Sequence, residues 1–168
     1  MLLSPARALA AAAQPETGAI MAGGKGPVLT VFIDPNCIYC HMLYQQLEPL
    51  VANGALRARY VLVAVIKNSS LDKSAAILSA KDPAAALQQD QKAFNTQTEE
   101  GGVKPDASPS KAVLARINAN NALLSKAGGD GTPLLLFCSK DGSVQQIGGM
   151  PRDVNALLAE MTSGPAPA

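Results

Sequence analysis

The sequence predicts an α/β fold in the order β-α-β, a helical insertion, then β-β-α, and three observations carry that expectation. A nearly unbroken apolar run, Val28-Leu29-Thr30-Val31-Phe32-Ile33, suits a strand buried on both faces. Helical periodicity from about Cys37 to Ala52 leads into Arg57–Ile66, which alternates and then turns continuously apolar. Strand, helix and strand of these lengths form a βαβ unit, right-handed with parallel strands. Near the end, Leu134–Cys138, the turn Lys140-Asp141-Gly142 and Ser143–Ile147 predict a β-hairpin.

Each element has a local cause. Asp34-Pro35-Asn36 ends the first strand with turn chemistry. The following helix sets Leu43, Leu47, Leu50 and Val51 on one face and closes at Asn53-Gly54. Pro49 removes a backbone donor inside it and predicts a kink. From Leu71 to Ala127 the pattern is helical, broken near Gly101–Pro109 and resumed after Ser110, so the insertion covers about 68–129. Gly128–Gly131 stops it. The final helix opens near Pro151–Asp153 and carries Val154, Leu157, Leu158 and Met161 at helical spacing. No internal repeat is present.

These elements place one domain at 27–163. The segment Met1–Gly26, rich in Ala with scattered Pro and Gly, is expected to be a poorly ordered flank or linker remnant, and 164–168 a disordered tail. Met1–Ala13 lacks the basic start and long apolar run of a secretory signal, so none is assigned. At 168 residues the chain is long enough for a real core, and with 4% aromatic residues that core must be aliphatic. A net charge of +1 gives no argument for nucleic acid or an anionic membrane surface as partner. No apolar run approaches the roughly 18 residues that span a bilayer.

The chemistry concentrates in Cys37-Ile38-Tyr39-Cys40, at the junction of the first strand and helix. Unpaired backbone donors and the positive end of the macrodipole stabilise a thiolate at a helix N-terminus, and the thiolate is the species that attacks a disulfide. Advancing about 100° per residue, Cys40 falls with Leu43, Leu47 and Val51 on the buried face. Cys37 falls on the polar edge with His41, Tyr44 and Glu48. Cys37 is thus expected to be the exposed nucleophile and Cys40 the shielded, resolving thiol. The rival for any CxxC is half a zinc site, and Cys138 and His41 are the only further Cys or His. His41, on the helix next to Cys40, points away from it. Gly131-Thr132-Pro133 precedes a strand, where a trans proline is the default on sequence alone.

Together these residues resemble the catalytic domains of bacterial periplasmic disulfide isomerases, the DsbC/DsbG group of the thioredoxin superfamily. The resemblance covers about Gly26 to Met161. It is closest in Phe32–Cys40 and Val61–Lys67, and continues through Ala75–Pro83 and Gly131-Thr132-Pro133. The middle segments look more like DsbG, and His41 directly after the second cysteine looks like DsbC. It implies a thioredoxin-like fold, a cis Pro133 with Thr132 facing the cysteines, and a loop there that presents backbone groups to client peptides. It also implies protein clients, a membrane redox partner, a periplasmic location and no cofactor beyond the cysteine pair.

Two features depart from the family pattern. Ile38 stands where Gly or Pro is usual, although Tyr39 is kept, and this dipeptide tunes the redox potential. Family members also carry an N-terminal dimerisation domain. With only about 25 residues before the first strand, this chain is expected to be a monomer, more oxidase or reductase than isomerase. The alternative from another class is a non-catalytic metal-binding or chaperone-like module using the same groove. Cys138 is expected to be inert packing, His41 a partly exposed neighbour tuning Cys37, and Asp34 a turn residue close to the site. No buried acid serving Cys40 is identifiable.

Overall fold

A computed structural model describes residues 1–162. Five strands form one mixed sheet in the order β1-β3-β2-β4-β5. They are β1 (Ile20–Ala22), β2 (Val28–Ile33), β3 (Arg57–Leu62), β4 (Leu134–Cys138) and β5 (Val144–Gly148). The helices are α1 (Pro5–Ala12), α2 (Ile38–Ala52), α3 (Ser70–Ser79), α4 (Pro83–Lys92), α5 (Lys111–Lys126) and α6 (Val154–Glu160). β2 and β3 run parallel with α2 between them, from Val28 opposite Arg57 to Ile33 opposite Leu62. The β2–β4 and β4–β5 pairs are antiparallel.

The two-residue period of the strands divides the core. Leu29, Val31 and Ile33 of β2, Tyr60 and Leu62 of β3, and Leu135 and Phe137 of β4 face one way, against Leu43 and Leu47 of α2, Ile77 of α3 and Leu157 of α6. Phe32, Val61, Val63, Leu134 and Leu136 face the other way, against α5 and α1. Both faces are covered, which explains why the central strands are apolar almost throughout.

Most boundaries fall where the sequence puts them, and the exceptions have local causes. Continuation of β3 to Ile66 is corrected: the ladder ends at Leu62, because Val65 and Ile66 turn their backbone N–H groups to the Asp34 carboxylate. The insertion holds α3, α4 and α5. Pro49 lies inside α2, which continues to Ala52.

The expectation for Met1–Gly26 is also corrected. Ser4 caps α1, accepting a hydrogen bond from Arg7 N, and Pro5 occupies the first turn. Alanine is the best helix former and lets a helix approach closely; here Ala8 and Ala12 are fully buried and Leu9 nearly so. Asn120 Nδ2 of α5 donates to Thr17 O and Leu62 O at 2.9 and 3.0 Å, fastening this segment to the sheet. β1 pairs antiparallel with the edge of β3. Composition misled because a short Ala-rich helix carries little hydrophobic signal of its own; its stability comes from the face it covers. The expected tail at 164–168 lies outside the described residues.

Candidate active site

β2 delivers the chain to Asp34, whose carboxylate is fully buried and organises the turn that follows. Its Oδ1 accepts from Asn36 N (2.8 Å) and Ser70 Oγ (2.8 Å), and its Oδ2 from Val65 N (2.7 Å) and Ile66 N (3.0 Å). Burial raises the Asp34 pKa and these hydrogen bonds oppose the rise. The Asn36 side chain is closed on all sides. Its Nδ2 donates to Ser69 Oγ and Ser70 Oγ, and its Oδ1 accepts from Lys73 Nζ and Gly101 N, each at 3.0 Å.

Cys37 follows as the N-cap of α2, with its Sγ accepting from Cys40 N at 3.2 Å. In the reduced pair its thiol also donates to Thr132 O at 3.5 Å. The Cys37 pKa falls to about 7, chiefly because the Cys40 thiol donates to its sulfur, with burial opposing and Thr132 and the Cys40 backbone assisting. Burial drives the Cys40 pKa well up, and the neighbouring Cys37 adds to the rise. Cys37 is therefore the thiol that ionises first, near neutral pH, while Cys40 keeps its proton.

The roles expected from helix phase rested on access, and in that respect the structure differs. Cys37 is only 3% exposed and Cys40 1%. The capping geometry turns the Cys37 sulfur inward over the first turn of α2 and under the Thr132 carbonyl. Both sulfurs are shielded from solvent; what separates the two thiols is the deeper desolvation of Cys40 and the hydrogen bonds that the Cys37 sulfur accepts.

Thr132–Pro133 is a cis peptide bond, as the resemblance implies. Thr132 Oγ1 is buried with no partner in hydrogen-bonding geometry, yet it lies beside both sulfurs and helps lower the pKa of each. Ile38, the first residue of α2, is half-buried, and Tyr39 is exposed. Met42, Val65 and Ile66 are likewise exposed apolar side chains around this end of the sheet.

His41 is not the partly exposed neighbour the sequence suggests. It is 6% exposed, with Nδ1 against Gln91 Oε1 at 3.2 Å and its ring stacked on Phe94 at 4.4 Å. α4 and the loop after it cover the helix edge that periodicity leaves open. Cys138 is half-buried on β4, near Arg59, and apart from the pair. His41 Nδ1 is engaged by Gln91, and among the described residues no three His, Cys, Asp or Glu side chains gather as a metal site.

Sequence reasoning missed the polar cluster behind the cysteines: Asn36, Ser70, Lys73, Asp90 and Gln91. Asp34 is part of it too, assigned to a turn although its carboxylate is buried. The available signal was in α3, where Ser70, Lys73, Ser74 and Ile77 share one helical stripe and all are buried. A lysine on a buried stripe needs a buried partner.

Comparison with known proteins supplies the family. The family model for the thioredoxin-like domain matches residues 15–162, and the chain belongs to that family. It is 34% identical over 140 residues to the thiol:disulfide interchange protein DsbG of Pseudomonas aeruginosa, covering 82% of this chain and 53% of that protein. Against DsbG of Escherichia coli the identity is 35% over 124 residues, covering 74% and 48%. The chain thus spans about half the length of the curated relatives it matches. The catalytic domain of Proteus mirabilis ScsC superposes with a TM-score of 0.66 at 21% identity, over 92% of this chain and 99% of that one. A periplasmic thioredoxin-like protein from Salmonella enterica serovar Typhimurium gives 0.66 at 21%, over 89% and 92%. The α/β thioredoxin-like fold expected from the sequence is the fold observed.

Proposed function

We propose that this chain is a thiol–disulfide oxidoreductase and isomerase acting on protein clients, with Cys37 as nucleophile and Cys40 as resolving thiol. The observation that carries this is the geometry of the pair. The Cys37 sulfur caps the N-terminus of α2 and accepts from the Cys40 thiol and from Cys40 N (3.2 Å), which lowers its pKa to about 7, while burial holds Cys40 well above the ordinary thiol value one turn away. The Cys37 thiolate attacks one sulfur of a client disulfide. The client S–S bond breaks, a Cys37–client disulfide forms, and the other client sulfur leaves as a thiolate. Cys40 then gives up its proton and attacks Cys37 Sγ, releasing the second client thiolate. Two electrons pass to the client, and the reverse sequence oxidises a dithiol. Transfer of Cys37 between client sulfurs without use of Cys40 isomerises.

Thr132 and Pro133 shape the client groove, and exposed Tyr39, Met42, Val65 and Ile66 supply apolar contact beside it. Ile38 and Tyr39, between the two cysteines, tune the potential. The exchange needs no cofactor beyond the cysteine pair. The DsbG resemblance supports a periplasmic location and a membrane redox partner that resets the pair. We take the chain by itself as a monomer that exchanges disulfides well and rescues scrambled clients poorly. Light scattering beside a scrambled-ribonuclease assay tests both points. The nucleophile is tested by trapping: Cys40→Ala should accumulate mixed disulfides with clients and Cys37→Ala should not. Equal trapping by both, or by neither, removes the assignment.

A further inference from the structure

The active-site turn is held by residues far away in sequence. Asn36, directly before the nucleophile, is 1% exposed, and its amide uses both its donors and its acceptor. Ser69 and Ser70 at the start of α3 take the Nδ2 hydrogens. Lys73, one turn on, is 6% exposed and divides its ammonium between Asn36 Oδ1 (3.0 Å) and Gly101 O (2.8 Å). Gly101 N returns a hydrogen bond to the same Asn36 Oδ1. Gly101 is in turn wedged against α4: an added Cβ would collide with the Asp90 carboxylate and with Pro35 O. Asp90 is fixed there by Val103 N and Gln91 Nε2. Every hydrogen bond of the Asn36 side chain therefore comes from the helical insertion.

We propose that Asn36 is a positioning residue for the nucleophile, clamped by Ser69, Ser70, Lys73 and Gly101 so that the Asn36–Cys37 backbone keeps the Cys37 sulfur on the Cys40 N–H. The inference rests on the exchange activity proposed above. The clamp acts at one remove. A thiolate at an N-cap is stabilised only while its sulfur stays within hydrogen-bond reach of the first free backbone donors, and that reach is set by the φ and ψ of the capping residue. Cys37 has φ −87° and ψ 116°, and the chain enters it from Asn36. Buried amides and a buried ammonium that are fully hydrogen-bonded hold one geometry, because any shift leaves a desolvated group without a partner. The insertion is thereby part of the catalytic apparatus although it contributes no reacting atom.

The test titrates Cys37 by thiolate ultraviolet absorbance and equilibrates the cysteine pair with glutathione, first in the native chain. If native Cys37 titrates as an ordinary thiol and no exchange occurs, the proposed function itself fails. If the native chain behaves as described, Asn36→Ala and Gly101→Ala, neither of which changes a charge, should each raise the Cys37 titration by about one unit. The pair should become correspondingly more reducing. Ile117→Val, which thins the core under α5, should lower thermal stability and leave the titration in place. Ser69→Ala removes one half-exposed acceptor and spares the core, so it reports even if the two larger changes prevent folding; it should move the titration the same way by a smaller, resolvable amount. Titrations like the native one in folded Asn36→Ala and Gly101→Ala, or in Ser69→Ala where those do not fold, would overturn the proposal. So would an equal shift in Ile117→Val, which would assign the effect to general loosening.

Discussion

Two segments meet at Cys37, and they are built in opposite ways. On one side, Asp34-Pro35-Asn36 is buried and saturated: the carboxylate accepts four hydrogen bonds, and the Asn36 amide is satisfied from α3 and from Gly101. On the other, Thr132–Pro133 reaches the sulfur through a single thiol-to-carbonyl hydrogen bond, and Thr132 Oγ1 is buried with no partner of its own. An unsatisfied buried hydroxyl is uncommon in a finished core. Here it lies beside the two sulfurs, and under the function proposed above a client backbone would supply the missing partner. Under the proposed function the contrast would separate two tasks: the saturated side would hold the nucleophile still, and the unsaturated side would be left open for what it attacks.

The largest expected effect sharpens the centre of that comparison. Cys37→Ser should abolish dithiol–disulfide exchange in an insulin-reduction assay. In the native protein the exchange rate should climb through a midpoint near pH 7, where the Cys37 thiolate forms. A midpoint near the ordinary thiol value would mean that the cap and the Cys40 thiol do not stabilise the anion.

The saturated side should then be costly to open. Asp34→Ala leaves three backbone N–H groups and the Ser70 hydroxyl without their acceptor. At about 1 kcal/mol or more for the two buried donors and somewhat less for the part-buried Val65 and Ile66 N–H groups, urea denaturation should show a loss of roughly 3–4 kcal/mol. A loss below about 1 kcal/mol would break the comparison, since the carboxylate would then be no anchor.

Asp90 gives the same side a pH signature. Burial pushes its carboxyl pKa up to about 6 from an ordinary 3.8, against hydrogen bonds from Val103 and Gln91 and the charge of Lys73. A folded pKa above the unfolded one means that the fold binds the proton more tightly. This contribution to stability is therefore fully present below the unfolded value and is lost as pH rises through the folded one. Asp90→Asn removes the dependence. Relative to the native chain, the variant should gain on the order of 2 kcal/mol between about pH 4 and pH 7, measured as the difference of two urea series. Parallel pH profiles would show that Asp90 titrates as an exposed acid does.

The open side should behave differently. Thr132→Val keeps the β-branch and replaces an unpartnered hydroxyl with a methyl group, so thermal stability should hold or rise slightly. The Cys37 titration should rise by about half a unit, because one of the groups that lowers it is gone. A destabilisation as large as that of Asp34→Ala would erase the distinction between the two sides. The smallest effect is expected at Cys138, half-buried and away from the pair: Cys138→Ala should cost about 1 kcal/mol or less and leave exchange unchanged.

The chain's own order made the βαβ unit, the hairpin and the cysteine pair legible, because each depends on residues close together. Alternating or continuous apolar runs specify strands whatever packs on them. Two residues between Cys37 and Cys40 place both sulfurs at one turn of α2 in any fold that forms it. Three other features were decided only by tertiary structure. His41 is buried because α4 and Phe94 arrive from some fifty residues away to cover it. Met1–Gly26 is ordered because its small side chains meet an apolar sheet face that no local pattern announces. Asp34 and Asn36 look like turn residues until α3 and Gly101 close over them. Periodicity reports which face of an element is apolar. It is silent on which distant polar group will stand opposite a buried carboxylate or amide, since that pairing forms only when the desolvation of both groups forces them to share one hydrogen bond.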